Sequence, residues 1–410
     1  MRPMVLAFAA LLVINAPGTA RGQGTWQVAT VDSDGEVGTW CSLAFLNTGH
    51  PAISYVERLP GNLSSLKFAW YDGQSWQRDF VDVGGNVGQY CSLKVRPNGN
   101  PVIAYYDQTN TALKLAEFDG QSWDIVTVDA DGAVGTWCSL GILGSPFDGQ
   151  PGISYYDSDA KRLKFAWRDG ATWKNTVVES DNVGEYTSLV ILPTGRPAIT
   201  YVRGTDKSLR YAEFIGFAWI ITPVVSGDVT WTHAAVLPSG YPAVVYSDLL
   251  GDDVRYAAFD GQSWQSTTAF TGRASLGKNG LTILPTGAPA IAFRNRNTAE
   301  LTYATPGGAV WEPVVIEAVG AQPSYVSLVT SPGGQPAMAY YVEGSKDLKF
   351  AIRKLCADLN GDGAVSQIDL GILLAWYGIG PGGDIDGDGD TDQADLGILL
   401  AQLGTTCLSD

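Results

Sequence analysis

From Trp26 to Ile352 the chain alternates apolar and polar residues in short runs bounded by Gly, Pro, Asn and Asp. Four kinds of run recur. Trp123 to Asp129 (WDIVTVD), Cys41 to Leu46 (CSLAFL), Pro101 to Asp107 (PVIAYYD) and Leu113 to Ala116 (LKLA) are examples. Period-two alternation of β-branched and aromatic residues between turn formers predicts β-strands. No stretch before residue 356 carries a helical period.

The four runs repeat seven times. Trp26, Trp76, Trp123, Trp173, Trp219, Trp264 and Trp311 mark one column. Pro51, Pro101, Pro151, Pro197, Pro242, Pro289 and Pro336 mark another, at spacings of 50, 50, 46, 45, 47 and 47. Four strands in each of seven such units predict an all-β fold, a seven-bladed β-propeller over residues 25–354. An open β-solenoid is the alternative. The seventh repeat lacks its Trp strand, while Trp26 to Asp32 precedes the first Cys-Ser-Leu strand. The N-terminal strand is therefore expected to complete the last blade and remove the open sheet edges.

The pattern changes at residue 356. Asp358, Asn360, Asp362, Ala364, Ser366 and Asp369 occupy positions 1, 3, 5, 7, 9 and 12 of an EF-hand-type loop. Asp384, Asp386, Asp388, Asp390, Asp392 and Asp395 occupy them again. Calcium takes six to eight oxygen ligands, and such a loop supplies them from these positions, with Gly at position 6 for the turn. Gly363 and Gly389 stand there. The pattern predicts two calcium ions as cofactors. Each loop is followed by Leu-Gly-Ile-Leu-Leu-Ala, and Leu370, Leu373, Leu374 and Tyr377, like Leu396, Leu399, Leu400 and Leu403, have the spacing of an amphipathic helix. Residues 356–410 hold ten Asp and no Glu, Lys or Arg, within a net charge of −16.

A loop and helix written twice, with Asp at position 12, resembles a dockerin module. The flanking Cys356 and Cys407 resemble the terminal-Cys variety of planctomycete-type secreted proteins. The resemblance covers residues 356–408. It implies a small α-helical module, a Cys356–Cys407 pair, and a cohesin-like receptor or cell-surface anchoring machinery as partner.

Arg2, the apolar run Met4 to Ile14 and the small residues Gly18 to Gly22 read as a secretory signal over residues 1–22, too short to span a bilayer. A secreted, extracellular or surface-anchored protein that does not span a membrane is expected. Cys41, Cys91 and Cys138 share one column. They suit small buried apolar residues, one disulfide plus a free thiol, or a thiolate metal site.

Alternate connections of a four-stranded meander lie on opposite faces. The Gly-x-Pro and Asp-Gly-Gln-Ser-Trp turns are tight and share one face. The connections around Val31 to Gly38 and Tyr105 to Leu113 are expected to be longer and to form the binding face. Trp40, Tyr90, Trp137, Tyr186, Trp231 and Tyr325 enter the Cys-Ser-Leu strands there. Glu57, Asp107, Asp157 and Asp248 leave the Pro strands. Aromatics beside acids suit a polysaccharide or other glycan, and they equally suit blade-to-blade packing.

The Asp-Gly-x-x-Trp turns (Asp72, Asp119, Asp260) resemble part of the Asp box of sialidase-like propellers, which is structural there. Catalytic chemistry is sparse. His50 lies in a tight turn, and His233, in a divergent repeat, is expected to cap a strand locally. Arg203 and Arg294 adjoin the acid column without a third arginine. No nucleophile motif or phosphate loop is present, and net acidity excludes nucleic acid as a partner. The expectation is a secreted, non-catalytic recognition protein whose propeller binds a glycan or a protein and whose tail binds two calcium ions for anchoring to a scaffold or cell surface. The alternative is a polysaccharide-active enzyme, a glycoside hydrolase or sialidase-like, displayed through the tail, with two of the repeat acids as catalysts.

Overall fold

A computed structural model describes residues 26–145, 149–308, 310–317, 322–353, 355–360, 362–385 and 390–405. The signal over residues 1–22 lies outside them, as do Asp386, Asp388, Gly389 and Cys407. The described chain forms two compact units, one of them Trp26–Arg353.

That unit is an all-β, seven-bladed propeller of four-stranded antiparallel meanders. Blade 1 comprises Glu36–Phe45, Pro51–Leu59, Leu63–Tyr71 and Trp76–Gly85. The inner strands of blades 2 to 7 are Val87–Val95, Val134–Ile142, Val183–Ile191, Val229–Val236, Ala274–Ile283 and Pro323–Thr330. Blade 7 takes its outer strand from the chain start. Trp26–Asp32 pairs with Asp347–Arg353, Trp26 opposite Arg353 and Val28 opposite Ala351. The ring is closed, and the solenoid is excluded.

The supposed long connections are short. Only Ser33 to Gly35 link the outer strand of blade 7 to blade 1, and only Gln108 to Thr111 cross the Tyr-Tyr-Asp turn of blade 2. The inner strands begin earlier than expected because glycine lets them pass close to the neighbouring blade. Gly135 has φ 113°, and a Cβ there would stand 2.9 Å from Leu113 Cα; no other residue fits both demands.

Between blades, the residue four after the repeat proline is buried, and in five of the seven repeats it is a tyrosine with its hydroxyl on an acid of the preceding blade. Tyr55 donates to Asp32 at 2.7 Å and Tyr155 to Asp129 at 2.7 Å. Lys67 and Lys164 join the same carboxylates. Burial would raise the Asp32 and Asp129 carboxyls; hydrogen bonds from the lysines and tyrosines outweigh it and hold both below the ordinary range.

The second unit holds two helices, α1 (Gln367–Trp376) and α2 (Gln393–Gln402). Each opens on a capping box, Ser366 with Asp369 and Asp392 with Asp395, which satisfies the free N–H groups of the first turn. Ala357, Val365, Leu373, Ile385 and Leu399 form its core. Only half of each expected apolar stripe is used. Leu373 and Leu399 are buried, whereas Leu374, Tyr377, Leu400 and Leu403 are exposed. The two halves interlock. Val365 N–H donates to Thr405 O at 2.9 Å, and Gly378 N–H to Thr391 O at 2.8 Å. No helix among the described residues is long and apolar enough to cross a membrane.

Candidate functional site

Each inner strand carries the same local code. Trp40, Tyr90, Trp137, Tyr186, Trp231 and Tyr325 sit at irregularities in strand pairing, with φ of 49° to 56°. A bulky residue in the left-handed region costs roughly 1–2 kcal/mol, so the surroundings must hold it there. The rings do so by packing on one another around the axis. Centroids lie 4.1 Å apart for Trp40–Tyr90, 4.6 Å for Tyr90–Trp137, 4.2 Å for Trp137–Tyr186, 5.0 Å for Tyr186–Trp231 and 4.7 Å for Trp40–Tyr325. Trp40 and Trp137, two blades apart, still meet at 6.2 Å. The predicted aromatic column is therefore an arc of six tilted side chains packed edge to face along one face of the propeller, half-buried and partly open to solvent.

The next position fastens that arc. Cys41, Cys91 and Cys138 are buried, and none of the three is in a disulfide. They donate to the backbone carbonyls of Tyr325, Trp40 and Tyr90 at 2.7, 2.8 and 3.1 Å. Thr232 does the same to Tyr186 at 2.9 Å. The disulfide reading of this column is overturned: each thiol is spent on its neighbour blade's backbone. The serine that follows accepts a backbone N–H from the next blade: Ser42 from Leu93, Ser92 from Leu140, Ser139 from Leu189 and Ser188 from Ala234, at 3.0 to 3.1 Å. His233 occupies this serine column, and its Nδ1 accepts from Leu281 N–H of the next blade at 3.1 Å. That bond runs to the neighbouring blade, where a cap within its own strand was expected.

The predicted acids are engaged in turns. Asp107 is buried; it accepts from Asn110 N–H at 3.0 Å, Asn110 Nδ2 at 2.8 Å and Lys114 Nζ at 2.8 Å. Burial would raise its carboxyl, and these donors more than reverse that. Asp157 accepts from Ala160 N–H at 2.9 Å and Arg162 Nε at 2.8 Å. Asp248 and Asn295 close the same turn in later blades. Glu57, half-buried, has Lys67 Nζ at 4.0 Å.

The residues after two of those acids face outward. Arg58 and Gln108 line a cleft of about 620 Å³ over blades 1 and 2, with Trp40, Tyr90 and Tyr106. Blade 1 builds its wall. Pro51 to Leu66 spans 15 positions, where Pro101 to Leu113 and every later pair span 12. The three extra residues lengthen the hairpin, and Ser64 forms a parallel bridge to Asn86 of blade 2. Ser64 Oγ donates to Asn86 Oδ1 at 2.9 Å and to Val87 O at 2.7 Å. Asn86 Nδ2 donates to Gln108 Oε1 at 2.9 Å. Arg58 NH1 bonds Glu36 at 3.1 Å. Column-by-column reading missed Asn62, Ser64, Asn86, Gln89 and Gln108; the length of the first hairpin was the signal.

In the helical unit, Asp369 is buried. Its Oδ1 accepts from Leu359 and Asn360 N–H at 2.8 and 3.1 Å, and its Oδ2 from Ser366 N–H at 2.8 Å. Asp358 accepts from Gly363 N–H at 2.7 Å, and Asp362 from Ala364 N–H at 2.9 Å. In the second loop, oxygens of Asp390, Asp392 and Asp395 lie within 4.8 Å of one another, a spacing that fits a shared cation.

No family model and no curated protein matches this chain. Solved structures do. A protein of unknown function from Dyadobacter fermentans is similar with a TM-score of 0.52 at 12% identity, over 80% of this chain and 97% of that one. A fungal alcohol oxidase of the AA5 family, in complex with copper, gives 0.55 at 11% identity, over 81% and 76%. A Hadza microbial sialidase gives 0.44 at 15% identity, over 77% and 65%. At these identities the likeness is one of fold alone.

Proposed function

We propose that this is an exported, non-catalytic recognition protein. Its propeller binds a glycan on the face that carries the aromatic arc, and its C-terminal unit binds two calcium ions and docks to a receptor. The observation that carries the propeller reading is the pairing on one face of aromatic side chains with uncharged amides, while the buried repeat acids Asp107 and Asp157 are tied into turns. Sugar rings pack on aromatics, and their hydroxyls need amide partners. Hydrolysis would need two available carboxylates.

Calcium would be held by Asp358, Asn360, Asp362, the Ala364 carbonyl, Ser366 and Asp369, and by the matching positions Asp384, Asp386, Asp388, Asp390, Asp392 and Asp395. The ion supplies charge neutralisation that couples folding to binding. The carboxylate grouping of Asp390, Asp392 and Asp395 supports this. Exposed Ile368, Leu374, Trp376 and Leu400 support a docking role for the helices, toward a cohesin-like receptor or anchoring machinery. Cys356 and Cys407 would tie the two ends of the unit.

Two measurements test the reading. A glycan array together with reducing-sugar release on mixed polysaccharides should give binding without release. Release that disappears in Asp107→Asn would replace it with the hydrolase reading. Calorimetry of the full chain should show a calcium-dependent transition that chelator abolishes, beside a propeller transition that chelator leaves in place. A single calcium-insensitive transition would refute the calcium role.

A further inference from the structure

Six of the seven blades keep 12 positions between the repeat proline and the third-strand anchor, and blade 1 has 15. Its second and third strands run nine residues each, against seven in Pro101–Asp107 and Ala112–Phe118 of blade 2. The lengthened hairpin stands beside Gln108 and Tyr106 of the next blade, with Trp40 and Tyr90 between them. The cleft so formed, about 620 Å³, has the size of a small-ligand site.

Its chemistry selects. Ser64, Asn86, Gln89 and Gln108 are uncharged. The one cationic group in the lining, Arg58, is bonded to Glu36. Among the described residues, Gln89 Oε1 is a buried acceptor with no hydrogen-bond partner. That oxygen is closed to solvent, and the same amide donates to Ser64 Oγ at 3.3 Å and to Asn86 Oδ1, so Gln89 fixes the wall of the cleft. A carboxylate sugar would find neutral donors and, as the lining's one cation, a guanidinium that already holds a counter-charge.

We infer that this cleft is the glycan subsite, that it takes one uncharged oligosaccharide per propeller, and that its hydroxyls meet the side-chain amides of Asn62 and Gln108 while the ring packs against Trp40 and Tyr90. The inference rests on the glycan-recognition reading above. It adds the place, the charge class and the stoichiometry.

Isothermal titration of the full chain separates these points. The uncharged probes are cellohexaose, mannohexaose and xylohexaose; the acidic ones are hexagalacturonate and sialyllactose. At least one uncharged probe should bind at one per chain, with the acidic probes weaker by roughly tenfold or more. Asn62→Gly and Gln108→Ala should each weaken binding by roughly tenfold. Deleting residues 60–62 should abolish it. The two point variants stand by themselves if the deletion does not fold. Wild-type binding that neither point variant alters would overturn the site and leave glycan recognition intact. Preference for the acidic probes would overturn the charge class. No binding to any probe would overturn this inference, and a blank glycan array would remove the reading beneath it as well.

Discussion

A carboxylate taken out of water needs partners, and Asp129 has three: the Tyr155 hydroxyl, the Lys164 ammonium and the Asp131 N–H. Two interfaces do without the cluster: between blades 4 and 5 Val225 stands in the acid column, and Tyr246 and Arg255 turn to Ser266 and Asp248 of their own blade, while the next interface loses all three groups. There Phe270 stands in the acid column, Phe293 in the tyrosine column and Thr302 in the lysine column, and the two phenylalanine rings meet at 4.7 Å. Where the acid is lost, the basic partner is either paired within its own blade, as Arg255 is with Asp248, or replaced, as it is by Thr302, because a lone survivor would be an unpaired buried charge. Asp129→Ala, which strands Lys164, should therefore cost about 3–5 kcal/mol. The triple change Asp129→Phe, Tyr155→Phe, Lys164→Thr should cost less, as read by chemical denaturation; a triple variant worse than the single one would contradict this account. The same clusters set the acid limit. Asp32 and Asp129 titrate below their ordinary value of 3.8 in the folded chain, so their contribution is complete above about pH 4 and is lost as pH falls through the folded values. The propeller's melting temperature should be level from pH 7 to 5 and drop steeply below 4. A flat profile to pH 2.5 would show that these pairs do not matter.

The inner strand is the element on which the ring depends, and its Cys-Ser-Leu signature was visible long before its meaning. Alternation tells which side of a strand is buried, so the columns of Cys41, Ser42 and Leu43 could be aligned by eye. It does not tell that the residue before them is left-handed, since Trp and Tyr avoid that region when free to choose. The aromatics therefore looked like loop residues entering a strand, when they sit within it. The acids were legible as a column, and their recurrence in four blades already reads as a turn residue, the role Asp107 and Asp157 have. The cleft itself hid inside a proline spacing of 50 that blades 1 and 3 reach by different insertions. Two substitutions test the strand code. Trp137→Gly and Trp137→Ala lose the same ring contacts, but glycine is at home at φ 55°, so the glycine variant should be the more stable by about 1 kcal/mol; equal stabilities would argue that the backbone relaxes. Ser139→Ala leaves Leu189 N–H buried without an acceptor and should cost about 1–3 kcal/mol. Cys138→Thr, which copies Thr232, should stay within about 1 kcal/mol of wild type. A larger loss in the threonine variant than in the alanine variant would reverse the assignment of donor and acceptor.

At the scale of the molecule the propeller was the most legible feature, because seven copies of one pattern leave little choice of architecture. Its closure was legible too, from a Trp strand missing at one end and present at the other. What the repeat could not convey is how much hangs on that strand. Trp26–Asp32 supplies the outer edge of blade 7, and its last residue, Asp32, holds Tyr55, Lys67 and Arg78 of blade 1. One short segment thus completes one blade and neutralises the interface with the next. A chain beginning at Ser33 should lose both at once, leaving Lys67 buried without its acid and blade 7 with an open edge. It should show no cooperative unfolding transition by calorimetry, or should aggregate. The remedy is written in the other blades. In blade 2, Phe118 pairs with Trp123 across the four-residue turn Asp119 to Ser122, and in blade 7 Arg353 faces Trp26 in the same register with no turn between them. A circular permutant that starts at Ser33 and continues from Arg353 through Asp-Gly-Gln-Ser into Trp26–Asp32 gives blade 7 the connection its neighbours have. It restores the sheet edge and the Asp32 cluster while breaking the covalent link between blades 7 and 1. Cooperative melting in the permutant, set against none in the truncation, would place the stabilisation in the strand's contacts. If the permutant also fails to fold, the covalent link is what closes the ring.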